Sequence, residues 1–436
     1  MLEPLYTADE MRAAEEGQDL DLLMARAGKA VAEEAMRRFP DARSFGVVCG
    51  KGKNGGDGLV ALEVLRAAGR QADEGLEGEV LIDALFGTGF HGEPREEAAE
   101  TIEAINGAGV PVVSVDVPSG VDASTGEAPG AAVHATVTVT FHAEKLGLAV
   151  RPGRLLAGEV VVAGIGLSPG ETRNARVLPE ILELVPRKKA TDTKYSAGSV
   201  LVVGGAPGLT GAACLAAEAA FRADAGYVAV AAPSQSLPVL ESRLLEAVKR
   251  PLEEAHAAAE RARALALGPG LGREPERQRL VRTLLGQTSL PAVVDADGLY
   301  KLEPFERTAP TVLTPHAGEL AALLGEDAAW VDAHRLRAVE RAVERFGCVC
   351  LLKGADTLVA APGEGVLVVD LGPPSLAVAG TGDVLTGVIA AFLAKGLDAR
   401  LAAAAGAVAC ALAASRGPGR GLVASDVVAR LPDTLS

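Results

Sequence analysis

Gly380-Thr381-Gly382-Asp383 stands immediately before a predicted helix over residues 384–395. Such a run aims free backbone amides and one carboxylate at the same point. Phosphoryl transfer needs both: donors for the developing negative charge and a base for the attacking hydroxyl. A positioned base is typically worth ~10²–10⁴-fold in rate. Upstream, Gly268-Pro269-Gly270-Leu271-Gly272 and Thr314-Pro315-His316-Ala317-Gly318-Glu319 end two predicted strands, and Lys353-Gly354-Ala355-Asp356-Thr357 ends a third.

The first part of the chain carries a different set. Gly50-Lys51-Gly52-Lys53-Asn54-Gly55-Gly56-Asp57-Gly58 follows one strand and opens a helix, a favoured seat for phosphate. A charge at such a helix end gains only ~0.3–1 kcal/mol, or ~2 when partly buried, which positions an anion without catalysing anything. The spacing is neither Walker A, which needs Lys followed by Ser or Thr, nor G-x-G-x-x-G. Two further loops, Asp83-Ala84-Leu85-Phe86-Gly87-Thr88-Gly89-Phe90-His91-Gly92-Glu93 and Asp116-Val117-Pro118-Ser119-Gly120, each put a carboxylate at the tip of an apolar strand. A single aspartate there is often a helix cap. Two facing one glycine-rich loop make a convergent acidic site, suited to a cation or to proton transfer. Lys145 completes the ring.

These loops need a scaffold of parallel strands, because ligands in open α/β sheets bind at the carboxyl ends of strands. The pattern supplies one. Thr7 and Glu10 form a capping-box pair, and residues 20–39 carry apolar residues at helical spacing. Strands are predicted over 44–49, 80–84, 111–116 and 136–141, with helices over 59–68 and 94–108 between them. A polar, basic stretch between Leu184 and Tyr195 marks a domain boundary. Beyond it the rhythm restarts with strands over 199–203, 227–231, 264–267, 292–295, 311–314 and 348–353, a helix over 211–225 and a hairpin within 357–370. The expected fold is two α/β domains in tandem, residues 1–186 and 187–436.

Composition narrows the function. A chain of 436 residues suggests two or three folding units at ~150 residues each. Apolar residues make up 49%, enough for large cores, and 57 acidic against 42 basic residues give a net charge of -15. That surface repels phosphate backbones and anionic lipid, so general nucleic-acid or membrane-surface binding is not expected. With aromatics at 3%, stacking platforms for single strands are also excluded. Cys49, Cys214, Cys348, Cys350 and Cys410 show neither disulfide nor zinc spacing and are expected as reduced thiols. The opening residues carry no signal-like pattern, and the longest apolar stretch, residues 401–414, falls short of the ~18 needed to span a bilayer. A cytoplasmic protein is expected.

The motifs together resemble a known pair of families. The N-terminal half is similar to the NAD(P)H-hydrate epimerases (YjeF N-terminal family), marked by G-x-G-N-N-G-G-D-G, D-A-L-F-G-T-G and D-x-P-S-G. The C-terminal half resembles the ADP-dependent NAD(P)H-hydrate dehydratases, a ribokinase-like branch marked by G-P-G-L-G, T-P-H-x-G-E, L-K-G and G-T-G-D. The resemblance covers nearly the whole chain and implies a Rossmann-like parallel-sheet domain followed by a ribokinase-like α/β domain. It implies epimerisation of R and S hydrates at nicotinamide C6, then ADP-driven dehydration of the S form with release of AMP and phosphate.

Carried over residue by residue, the resemblance implies that Lys53, Asn54, Gly55, Gly56 and Asp57 meet the hydrate in the first domain. Gly87, Thr88, Gly89, Phe90, His91, Gly92, Glu93 and Asp116 would join them. Asn54, Asp83 and Ser119 would hold potassium, and Asp116 would act as catalytic acid/base with Lys145. In the second domain Ala212, Gly270, His316 and Asp383 would bind the hydrate, with Asp383 taking the proton from its hydroxyl. Lys353, Gly354, Ala355, Asp356, Thr357 and Gly382 would bind ADP, accompanied by Mg2+. A homo-oligomer is expected. The motifs depart from the pattern at Lys53, which replaces the first Asn, at Thr193 and at Ser375-Leu376. The segment between Ala68 and Val80 is also short, so the first domain is expected to lack one βα unit at its sheet edge. Two other readings stay open: a kinase for a small alcohol, and a non-catalytic first domain.

Overall fold

The computed structural model describes residues 1–435. The chain divides into two compact units. One comprises Pro4–Ala175 with Asp332–Leu336; the other comprises Met1–Glu3, Arg176–Val331 and the chain from Arg337 onward.

The first unit contains a six-stranded parallel sheet. Its spatial order is Gln71–Glu74, Ser44–Cys49, Val80–Ala84, Val112–Val115, Val137–Phe141 and Glu159–Ala163. The strands Val80–Ala84 and Val112–Val115 are buried throughout, as expected of largely apolar runs in a sheet covered on both faces, and they take the polar Asp83 and Ser114 inside with them. Two helices precede the sheet. Ala8–Glu15 starts from a complete Thr7/Glu10 capping box, and Leu20–Arg38 starts where Asp19 accepts from the Leu22 amide.

The expected loss of a whole βα unit is corrected here. The edge strand Gln71–Glu74 is present and pairs with Ser44–Cys49; only the helix after it is missing. The connection 75–79 instead runs directly against the neighbouring strand. A side-chain carbon on Gly78 would lie 2.4 Å from the Gly46 amide nitrogen, and one on Gly46 would lie 2.7 Å from the Gly75 carbonyl oxygen. Glycine at these positions is what lets the shortened chain cross the sheet.

The second unit holds an eleven-stranded sheet, except that its first two strands also include Pro4, Leu5, Asn174 and Ala175, which count with the first unit. From one edge the order is Leu2–Leu5, Asn174–Val177, Leu367–Val369, Thr357–Ala360, Val349–Leu352, Thr311–Leu313, Ala292–Val294, Ala264–Leu267, Ser199–Val203, Tyr227–Ala232 and Val248–Pro251. Pairing is parallel from Val349–Leu352 to the last strand, while Thr357–Ala360 and Leu367–Val369 form the antiparallel hairpin. Helix Thr381–Ala394 is buried without interruption from Val384 onward, so it is apolar on all sides and has neighbours all round. It packs on helix Thr210–Arg222 at Gly387, where a side-chain carbon would sit 2.1 Å from the Ala216 carbonyl oxygen.

The five cysteines are unpaired; Cys49 is half-buried and the rest are buried. Among the described residues no helix is long and apolar enough to cross a membrane.

Candidate active sites

In the first unit the glycine-rich loop after Ser44–Cys49 becomes helical earlier than its composition suggests. Helix Lys53–Ala67 has Gly52 as its N-cap, and no side chain caps its first amides. A side-chain carbon on Gly55 would lie 1.9 Å from the Gly50 carbonyl oxygen. The glycines therefore serve the chain's own packing as well as any approach by a ligand.

Asp83, at the end of the central strand Val80–Ala84, is completely buried. Its carboxylate accepts from Ser119 Oγ at 2.5 Å, the Ser119 amide at 2.9 Å and Ser114 Oγ at 2.9 Å. Burial raises its pKa, and these donors only partly oppose that. Phe86 links the group together: its amide donates to Ser119 Oγ at 2.8 Å, and its carbonyl accepts from Asn54 Nδ2 at 2.8 Å. Asn54 Oδ1 stands 2.8 Å from where a Gly87 side-chain carbon would be. Asn54, Asp83 and Ser119 are thus brought together on one oxygen-rich point.

Asp116 ends the next strand in a left-handed conformation, φ 66°, uncommon for a residue with a side chain. Lys145 Nζ, wholly buried, lies 2.6 Å from Asp116 Oδ1, and Thr140 Oγ1 donates to the same oxygen at 3.0 Å. The lysine also donates to Thr140 Oγ1 and to the Phe141 carbonyl. Asp116 shares a cleft of about 800 Å³ with Lys53, Asn54, Asp57, Gly87, Thr88, Gly89, Phe90 and His91. Gly55, Gly56, Gly92 and Glu93 are not among its walls, and Asp83, Ser119 and Lys145 stand behind them. His91 Nδ1 is 2.7 Å from Asp122. Lys53 pairs with Glu15 at 2.9 Å. Burial, then the negative charges of Asp116 and Glu15, push the Asp57 carboxyl up to about 8. Sequence reasoning missed Arg12, Asp21, Met24 and Lys51, which also wall the cleft; helix periodicity alone does not say which end of a helix reaches a strand tip.

In the second unit the loops after five adjacent parallel strands meet at one sheet edge. Helix Thr381–Ala394 begins at Gly380, whose φ of 90° favours glycine, and has Asp383 in its first turn. A side-chain carbon on Gly382 would lie 3.3 Å from Lys353 Nζ and 3.7 Å from Asp295 Oδ2. Lys353 pairs with Asp295 at 2.8 Å and approaches Glu319 at 3.7 Å. Burial works to lower the lysine's basicity, but Asp295 and Glu319 outweigh it and hold the ammonium above its usual range. Burial, then the Asp295 charge, push the Asp383 carboxyl up to about 7, against the pull of Lys353.

His316 is the N-cap of helix Ala317–Leu324 and forms a capping box with Glu319. Gly270 and Ala212 are neighbours, a side-chain carbon on the glycine lying 3.1 Å from Ala212 Cβ. Gly354 and Ala355 are exposed, and Thr357 Oγ1 donates to the Gly354 carbonyl at 2.9 Å. Asp356 is wholly buried, which suits it to holding the turn rather than touching a nucleotide. Asp295, Thr386 and the charge on Glu319 were missed as site residues. The Asp-Ala-Asp after strand Ala292–Val294 was the available signal, a carboxylate at the tip of a buried strand.

These two carboxylate sites can be set beside known proteins. A family described as NAD(P)H-hydrate dehydratase matches residues 200–432, and one described as YjeF-related protein N-terminus matches residues 20–74 and 70–147. The "Bifunctional NAD(P)H-hydrate repair enzyme Nnr" of Moorella thermoacetica is 38% identical, covering 95% of this chain and 92% of that protein. The protein of the same name from Escherichia coli K12 is 34% identical over 98% of this chain and 93% of its own. The chain belongs to the bifunctional NAD(P)H-hydrate repair enzyme family. Its motif resemblance is thereby borne out. Among solved structures, an ADP/ATP-dependent NAD(P)H-hydrate dehydratase from Bacillus subtilis, co-crystallised with ATP and Mg2+, is 27% identical with a TM-score of 0.55, covering 59% of this chain and 96% of its own. A ribokinase-like superfamily protein from Enterococcus faecalis, 24% identical with a TM-score of 0.53 over 62% of this chain and 97% of its own, shows the same fold. The repair-enzyme family thus pairs a parallel-sheet domain with a ribokinase-like one.

Proposed function

We propose that this chain repairs hydrated nicotinamide nucleotides with two activities, residues 1–186 interconverting the R and S hydrates and residues 187–436 dehydrating the S form. The observation that carries the reading is that each unit has its own carboxylate at a strand-end cleft, one ion-paired to a buried lysine and one at a helix N-terminus.

In the second site hydroxide is a poor leaving group, whereas a phosphorylated hydroxyl leaves readily. Asp383 takes the hydroxyl proton as the oxygen attacks the donor phosphoryl group of ADP. Lys353 and the amides of Gly382 and its neighbours offset the charge that develops on that group. Loss of phosphate from C6, with the nitrogen N1 assisting, and then of a proton from C5 to solvent leaves the ring double bond of NAD(P)H, with AMP as the other product. Among the described residues no three His, Cys, Asp or Glu side chains are placed to cage a metal. Magnesium held by one or two carboxylates and the nucleotide's phosphates suits such a site, and Asp295, Asp383 and Glu319 are the acidic groups there. Bound magnesium would neutralise phosphate charge.

In the first site Ser119 bonds the buried Asp83 carboxylate and the Phe86 carbonyl, which also accepts from Asn54, and among the described residues no cationic side chain pairs with that carboxylate. That donor set fits potassium, which would supply a fixed positive charge beside the hydrate's phosphates. A homo-oligomer in the cytoplasm completes the reading.

The test is an absorbance assay of each hydrate epimer of NADH with ADP or ATP. The S hydrate should regain the NADH chromophore with ADP alone, and the R hydrate should do so through the chain's own epimerisation. A phosphorylated product released without the chromophore would replace this reading with the alcohol-kinase one. An R hydrate left unchanged by an active dehydratase would make the first unit non-catalytic.

A further inference from the structure

The cleft of the first unit holds two carboxyl groups in opposite surroundings. Asp116 is fastened at 2.6 Å to the buried Lys145 and at 3.0 Å to Thr140. Asp57, one turn into helix Lys53–Ala67, lines the same cleft and is half-buried, yet its carboxyl has neither a hydrogen bond nor an ion pair within the described chain. Its helix cannot tilt to relieve this. A side-chain carbon on Gly28 would lie 2.4 Å from the Asp57 carbonyl oxygen, so helix Leu20–Arg38 is already at closest approach. A structural aspartate finds a cap or a cation. An unpartnered one facing a charged one in a cleft is the arrangement that separates an acid from a base.

We propose that Asp57 is the second catalytic residue of the epimerisation, the acid that works opposite the base Asp116. This rests on reading the cleft as the epimerase site. The hydrate's C6 carries a hydroxyl and is bonded to ring N1, so it is a carbinolamine. Asp116 takes the O–H proton, the C6–N1 bond breaks with its electron pair going to N1, and Asp57 delivers its proton to N1. C6 is now an aldehyde. Rotation about C5–C6 presents its other face, N1 attacks, Asp57 recovers its proton and Asp116 returns one to the oxygen. Atoms and electrons balance without oxidant or reductant.

The groups facing Asp57 favour this division. Asp116 and Glu15 carry negative charge toward it, and Lys53 answers only partly because Glu15 already pairs with it. Arg12, Asp21, Lys51 and His91 line the rest of the cleft. With its pKa pushed up to about 8, Asp57 holds a proton at neutral pH.

The experiment uses the full chain, the R hydrate of NADH and no ADP, with the R to S ratio followed by chromatography and dehydration of the S hydrate as a check on the fold. Asp57→Asn should cut the epimerisation kcat by at least ~100-fold with little change in KM, while dehydration continues. Asp57→Glu should recover part of the rate. In the unsubstituted enzyme kcat should fall about tenfold per pH unit above the acid's pKa of about 8. An Asp57→Asn enzyme that keeps its kcat, or loses only KM, overturns the proposal and leaves Asp57 a binding contact. Should that variant misfold, the pH profile decides: a profile flat through pH 8 overturns the proposal. An unsubstituted chain that never epimerises overturns the reading of the cleft itself.

Discussion

Lys353 Nζ lies 2.8 Å from Asp295 Oδ1, while the other oxygen of that carboxylate accepts a 2.8 Å hydrogen bond from Thr386 Oγ1. One buried aspartate therefore ties Lys353 to the helix that carries Asp383. It also places its own negative charge against Asp383. Removing that charge by Asp295→Asn leaves a largely buried lysine without its main partner, a loss of about 3 kcal/mol. A melting curve should show a Tm lowered by several degrees. The same variant should shift the rise of the dehydration pH profile to lower pH, because one cause of the raised Asp383 pKa is gone.

The sign of that profile follows from Asp383 itself. A base must be ionised, and a carboxyl with a pKa of about 7 is mostly protonated below neutrality. Dehydration should therefore rise about tenfold in kcat/KM from pH 6 to pH 8 and then level off. A profile falling over that range would remove Asp383 from the role of base. Asp383→Asn should abolish dehydration and leave epimerisation of the R hydrate intact; loss of both would contradict two separate sites.

Lys145 is wholly buried against Asp116, so Lys145→Met strands a carboxylate rather than merely deleting a charge. The expected cost is about 3 kcal/mol in stability, read by urea denaturation. Epimerisation should drop at least ~100-fold. The dehydratase rate should hold.

Gly387→Ala tests the packing behind the second site. The added carbon would meet the Ala216 carbonyl oxygen at 2.1 Å, backbone against backbone, so the two helices must separate. Overpacking of this kind costs about 1–3 kcal/mol. Because the displaced helix begins at the turn that carries Asp383, the proposed base, kcat for dehydration should fall even at temperatures where the variant is folded. An unchanged Tm would mean the helices yield more easily than their contact implies.

Ser119→Ala probes the cation reading. It removes a donor to the buried Asp83 and an oxygen from the Asn54, Phe86 and Asp83 set. Epimerisation should lose its response to potassium over sodium, measured as initial rate against salt composition. A full potassium response in the variant would take Ser119 out of the set.

Much of the architecture is legible in local pattern. Ser199–Val203 and Ala264–Leu267 are apolar runs bounded by glycine, and both are strands at the expected bounds. Strand ends followed by glycine and charge mark ligand loops because parallel sheets expose those ends, and that rule singled out Asp83, Asp116 and Lys353, while Asp383 stood out as a carboxylate in a glycine-rich run opening a helix. Helix starts were read late. Lys53–Ala67 and Thr381–Ala394 begin inside glycine-rich runs whose propensity is poor, and close packing against Gly50 and Ala216 overrides it. Short outlying strands such as Gln71–Glu74 and Val248–Pro251 carry too little apolar pattern to be seen.

What the chain order cannot express is which loops become neighbours. Asp295, Lys353 and Thr386 are far apart in sequence and meet only because their strands and helix are laid side by side. The unequal fates of Asp57 and Asp116 have the same origin. Both are aspartates beside glycine-rich turns, and only the folded arrangement gives one a buried lysine and the other none. Residue type sets what chemistry is available; burial and the charges brought near set which protonation state each group holds.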